Sequence, residues 1–168
     1  MNLLDEVQIV SGFVPVNTQS GANVGDVVSL GNYNRLTVVF FKAAGVANDD
    51  PVLTFEQGTD VAFGTNKNLA TIDEYWYKQG AALTAVGTFT RVTQSASQTV
   101  TLNATSAEQQ GIYVFEIPAS DLDVDGGYDC VRVTVADTGS AGAQLGCMLY
   151  LLSEPRHATA MLPSAIID

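Results

Sequence analysis

The chain has 168 residues, 46% hydrophobic and only 15% charged, and its 18 acidic against 7 basic side chains give a formal net charge of −11. That length suits one ordinary domain hiding roughly 70% of the surface of its unfolded chain, and the negative balance disfavours nucleic acid and anionic membrane surfaces as direct partners. One histidine and two cysteines leave little for acid–base, nucleophilic or metal chemistry.

Met1-Asn2-Leu3-Leu4-Asp5-Glu6 has neither the basic start nor the apolar core of a secretory signal, so synthesis in the cytosol is expected. Strand signals then recur between Gly, Asn, Asp and Pro clusters, the spacing of a sandwich or barrel. Strands are predicted near Val7–Val16, Val27–Leu30, Leu36–Lys42, Val52–Gln57, Tyr75–Lys78, Gly87–Thr93, Thr99–Leu102, Ile112–Ile117, Tyr128–Val135 and Ala143–Leu152. In Leu36-Thr37-Val38-Val39-Phe40-Phe41 both alternating faces are apolar. This predicts a central strand covered on both sides, by the second sheet and by another segment or subunit. Leu53 and Phe55 alternate with Thr54 and Glu56, the pattern of a sheet with one wet face. The best helical candidate is a single turn at Pro118–Leu122. No apolar run approaches the roughly 18 residues of a membrane helix, and the Leu145–Leu152 run is interrupted by Gly146.

The fold expected is an all-β sandwich, jelly-roll-like, with extended ends: residues 1–26 as an N-terminal arm or strand, 27–152 as the sandwich, and 153–168 as a C-terminal arm. Two prolines keep that last segment out of a sheet interior, yet Met161, Leu162, Ile166 and Ile167 are too apolar for an idle tail. It reads as an arm lying either on its own domain or on a partner.

The densest polar cluster runs from Asp121 to Asp129. Asp121, Asp123 and Asp125 ahead of Gly126 match the first half of a calcium loop, but Arg132 stands where a bidentate Glu should close the site, and a solvated turn explains the same residues. Tyr128, two residues before Cys130, partly resembles the tyrosine corner of immunoglobulin-like sandwiches and predicts a chain crossing between sheets. If Cys130 and Cys147 lay on a hairpin turning near Gly139, their register would point them to opposite sides of the sheet, so two separate thiols are expected. Tyr75 and Tyr77 fall on one strand face and Trp76 on the other, so one face packs in the core and whichever is left outside, Trp76 or the tyrosine pair, serves as an interface or a sugar-stacking site. Asn103-Ala104-Thr105 formally matches a glycosylation sequon. No motif for phosphate, zinc or a nucleophilic serine occurs, and His157 lies in the proline-bounded tail. Neither catalysis nor a cofactor is expected.

Val7-Gln8-Ile9-Val10, the Phe-Phe-Lys-Ala-Ala-Gly run ending at Gly45, Asp49-Asp50-Pro51, the Asp121–Cys130 corner, Tyr150-Leu151-Leu152 and Leu162-Pro163-Ser164-Ala165-Ile166 together look familiar. They resemble a family of small head-associated virion proteins of tailed bacteriophages. The resemblance implies a decoration or cement protein on the capsid exterior, made in the host cytoplasm. Its expected partners are the major capsid protein and further copies of itself, as a trimer or another symmetric cluster. A tail-tube or head–tail connector protein and a carbohydrate-binding module are the alternatives.

Overall fold

The computed structural model describes residues 3–84, 86–139, 142–157 and 162–166. Twelve strands form among them: β1 (Gln8–Asn17), β2 (Asn23–Val24), β3 (Val28–Ser29), β4 (Tyr33–Lys42), β5 (Val52–Gly58), β6 (Asn66–Asn68), β7 (Ile72–Gly80), β8 (Thr90–Ser97), β9 (Thr99–Thr101), β10 (Gln110–Pro118), β11 (Cys130–Val135) and β12 (Leu145–Pro155). They make two antiparallel sheets. The larger runs β1-β12-β4-β10-β7-β8; the smaller runs β2-β11-β5-β6, with β3 added along β11 and β9 along β5. The expected all-β sandwich is what the chain forms.

Alternation builds the core. Leu36, Val38 and Phe40 of β4, Tyr113, Phe115 and Ile117 of β10, and Met148, Tyr150 and Leu152 of β12 point from the larger sheet to Leu53, Phe55, Val131, Val133 and Val135 of the smaller one, all fully buried. Phe55 and Tyr75 pack on Phe115 with ring centroids 5.1 and 5.3 Å away. Tyr150 carries a polar tie across the sandwich. Between β2 and β3 the ladder beside β11 is broken, and the Val133 N–H there donates to the Tyr150 hydroxyl at 3.1 Å. Gly25 makes room: a Cβ on it would stand 2.5 Å from both the Tyr150 hydroxyl oxygen and the Val133 carbonyl oxygen.

Lys42, at the end of β4, is buried. Its ammonium donates to the Ser106 carbonyl and, at 2.7 Å, to that of Gln109, pinning the loop before β10.

The structure differs from the sequence expectations at several points. β6, Asn-Lys-Asn, has no strand composition and exists because Glu56–Gly58 pairs with it. The helical turn expected after β10 forms as a 3-10 turn, Ala119–Asp121, with the extended Pro118 just before it, while two further 3-10 turns, Leu3–Asp5 and Val124–Gly126, carry no helical signal in the sequence. As the corner at Asp121–Asp129 implies, the chain there passes from the larger sheet to the smaller. The segment after β11 crosses back, so β11 and β12 lie in different sheets and the hairpin assumed for the two cysteines does not form. Both thiols are free, Cys130 buried and Cys147 half-buried.

Both described ends lie on the domain. β1 pairs along β12 from Gln8↔Leu152 to Asn17↔Leu145, with two irregularities of register. Near the C-terminus, the Ser29 N–H donates to the Ala165 carbonyl at 2.8 Å and the Tyr33 hydroxyl to that of Pro163 at 2.5 Å.

Candidate interaction surface

The same alternation that fills the core leaves a second apolar row on the outside of the larger sheet. Its registers align Ile9 with Leu151, Leu149 with Val39, Cys147 with Phe41, Val39 with Val114, Phe41 with Ile112, and Val114 with Trp76. One apolar row, Leu149, Val39, Val114 and Trp76, therefore crosses four strands from β12 to β7, flanked by the Cys147–Phe41–Ile112 row on one side and by the Ile9–Leu151 pair on the other. Ile9, Phe41, Leu145, Leu149 and Phe89 are between 41% and 55% exposed. β4 is central, as expected; the second sheet covers its inner face, and among the described residues no other segment of the chain covers Phe41 on the outer one. Scattered exposed apolar residues are ordinary, whereas a contiguous exposed face marks a contact site.

Two shallow depressions indent this face. One is lined by Pro15, Phe41, Ala43, Leu145 and Cys147, the other by Trp76, Phe89, Val114 and Glu116. Ion pairs gather at one end of the strands. Arg35 pairs with Glu116 at 3.0 Å and with Glu154 at 2.9 Å, and Arg91 donates through Nε to Glu74 at 2.7 Å. Glu154 reaches Arg35 from a left-handed backbone position, φ 57°. The bond to Glu154, with Glu116 beside it, raises the pKa of Arg35.

The other residues singled out in the sequence are dispersed. Trp76 is on this face; Tyr75 and Tyr77 point the other way, Tyr75 into the core. Leu162 is half-buried and Ile166 exposed on the C-terminal segment, while Met161 and Ile167 lie outside the described residues. The three aspartates do not converge. Asp121 is partly buried beside Thr71, and burial raises its pKa. Asp123 accepts from Lys67 and from the Gly126 N–H, and the Lys67 bond first holds its carboxyl below the usual range. Asp125 is exposed. Among the described residues no three His, Cys, Asp or Glu side chains are grouped to hold a metal ion. Tyr128 lies under the Lys67 ammonium, 4.1 Å from the ring centre, and His157 is exposed.

Sequence reasoning missed Phe41, Leu149 and Leu145 as surface residues. The signal was present in the doubly apolar pattern of residues 36–41, but the run of odd-numbered leucines in β12 reads equally well as a core face. Only the sheet order decides which face is which.

No known protein family and no curated protein matches this sequence. Solved structures with partial similarity include infectious bursal disease virus Gx strain, at 12% identity and a TM-score of 0.24, covering 88% of this chain and 40% of that one. The Gt strain follows at 11% and 0.27, covering 96% and 46%. T=1 particles derived from that virus give 13% and 0.24, covering 93% and 42%. This chain thus spans less than half the length of each, at scores too low to carry fold or function across.

Proposed function

We propose that this chain is a non-catalytic structural protein of a virion, a decoration or cement protein on the outer surface of a tailed-phage head. The observation that carries the reading is the uncovered apolar face of the larger sheet, whose exposure to water costs free energy that burial under another polypeptide recovers. The sequence resemblance to head-associated phage proteins supplies the setting. The acidity suits the outside of a head better than the DNA-facing side.

In this reading the ends make the attachment to the major capsid protein. Leu3, Leu4 and Ile166 are exposed apolar side chains at the two described termini, and short apolar ends can gain affinity through multivalent attachment. Before assembly the protein resides in the host cytoplasm. The test is the protein profile of purified virions: the chain is expected at a copy number that scales with the head. Virions lacking it would end the reading, and a copy number matching a ring or tail tube would move it to another part of the particle.

A second reading rests on the outward Trp76 beside Phe89, with Glu116 at the rim, an arrangement on which a sugar ring can stack. Binding to a glycan panel that disappears in Trp76→Ala would favour it over the structural role.

A further inference from the structure

We propose that a second copy of this chain covers the outer face of the larger sheet, the two copies related by a two-fold axis that runs along the strands between β4 and β10. The inference deepens the structural reading above and rests on it, by naming the occupant of that face.

Charge is the first argument. The apolar part of the face carries no carboxylate, and the charged side chains at its rim are Arg35, Lys78 and Arg91 against Asp73, Glu74, Glu116, Asp121 and Glu154. Three positive against five negative charges leave −2 at the rim, so −9 of the formal −11 sits elsewhere on the molecule. Two copies meeting through this face bring little net charge together and keep most of their acidic surface pointing apart.

Area is the second. A six-stranded sheet with strands about 4.8 Å apart, over about seven residues of roughly 3.3 Å each, offers a footprint on the order of 650 Å². Two copies then bury roughly 1,300 Å² in total, inside the range of about 1,200–2,000 Å² typical of stable interfaces.

Self-complementarity is the third. β4 and β10 are the two middle strands of the sheet, so the proposed axis lays β4 of one copy over β10 of the other, and β12 over β7. Val39 then faces Val114, Phe41 faces Ile112, and Leu149 faces Trp76, apolar against apolar in each case. At the charged end, the Arg35–Glu116 pair of one copy meets the same pair of the other with the signs exchanged. An axis across the strands would instead lay the apolar end on the ion pairs. A two-fold contact needs a patch that complements itself, and this one does.

The test is sedimentation velocity of the full chain over a concentration series, with two variants. The wild type is expected to convert from monomer to dimer. Val39→Asp places a carboxylate near the axis of each copy and is expected to weaken the dimer by at least about 100-fold, with native circular dichroism retained. Val39→Cys is expected to give a cross-linked dimer with a short bismaleimide, whereas the native Cys147, far from the axis, is not. A monomer at all concentrations, a trimer, a dimer indifferent to Val39→Asp, or no cross-link from Val39→Cys in a wild-type-like fold would each overturn the inference. The functional reading fails separately: a dimer absent from virions refutes the virion role alone, and a monomer present on virions refutes the dimer alone.

Discussion

Replacing Tyr150 by Phe removes one oxygen from the centre of the sandwich. The fully buried ring keeps its packing, but the Val133 N–H loses the acceptor it has at 3.1 Å. No strand can replace it, because Gly25, between β2 and β3, already occupies that edge by donating its own N–H to the Val133 carbonyl at 3.0 Å. A buried donor left without a partner costs about 1–3 kcal/mol. With a urea m-value of about 2 kcal/mol per molar, the unfolding midpoint should fall by roughly 0.5–1.5 M at unchanged slope. Gly25→Ala disturbs the same tie from the other side, since its Cβ would stand 2.5 Å from both oxygens. The two substitutions touch one hydrogen bond, so the double variant should lose clearly less than the sum of the singles. A midpoint shift below about 0.2 M for Tyr150→Phe, or strictly additive losses, would refute this account of how the sheets are tied.

Further predictions concern the end of the chain, the buried amine and the thiols. Deleting Ala158–Asp168 removes the contacts of Pro163 and Ala165 with Tyr33 and Ser29, and the melting temperature should drop by about 3–8 °C, which calorimetry would show. Burial lowers the pKa of Lys42 from 10.5 to about 8. The unfolded chain therefore holds that proton more tightly, so this group adds stability as pH rises from about 8 towards 10.5, up to about 3 kcal/mol. Lys42→Met should lack that rise when urea titrations of the two proteins are compared across the window. Cys147 should react with a maleimide in the native protein, whereas Cys130, fully buried and with its pKa pushed up to about 12, should react only on unfolding. Mass spectrometry of the labelled chain distinguishes the two sites.

Much of the sandwich was legible because buried antiparallel strands carry a period of two that local sequence records. Leu53 and Phe55 against Thr54 and Glu56 placed β5 and its wet face correctly, and the Pro118 and Asp121–Asp129 signals placed a turn and a crossing. Strands held by their neighbours were not legible. Asn66-Lys67-Asn68 pairs only because β5 offers an edge, and Asn23-Val24 only because β11 does. The register that would separate Cys130 from Cys147 belongs to a hairpin that does not form, since the sequence holds no mark showing which sheet a strand joins. The interaction surface suffered the same ambiguity. Leu145, Leu149 and Leu151 are as apolar as any core row, and they lie outside because Met148, Tyr150 and Leu152 lie inside. At Trp76 the two flanking tyrosines made the split between faces visible, but not which face lies outside.

The central claim is that the apolar face of the larger sheet is buried by protein when the chain does its work. Hydroxyl-radical footprinting tests it residue by residue, comparing the isolated chain, diluted until monomeric, with the same chain in purified virions. The account predicts strong oxidation of Phe41, Leu149, Trp76 and Phe89 in the dilute chain and several-fold protection of all four in the particle. Equal oxidation in both, or particles without the chain, would contradict it.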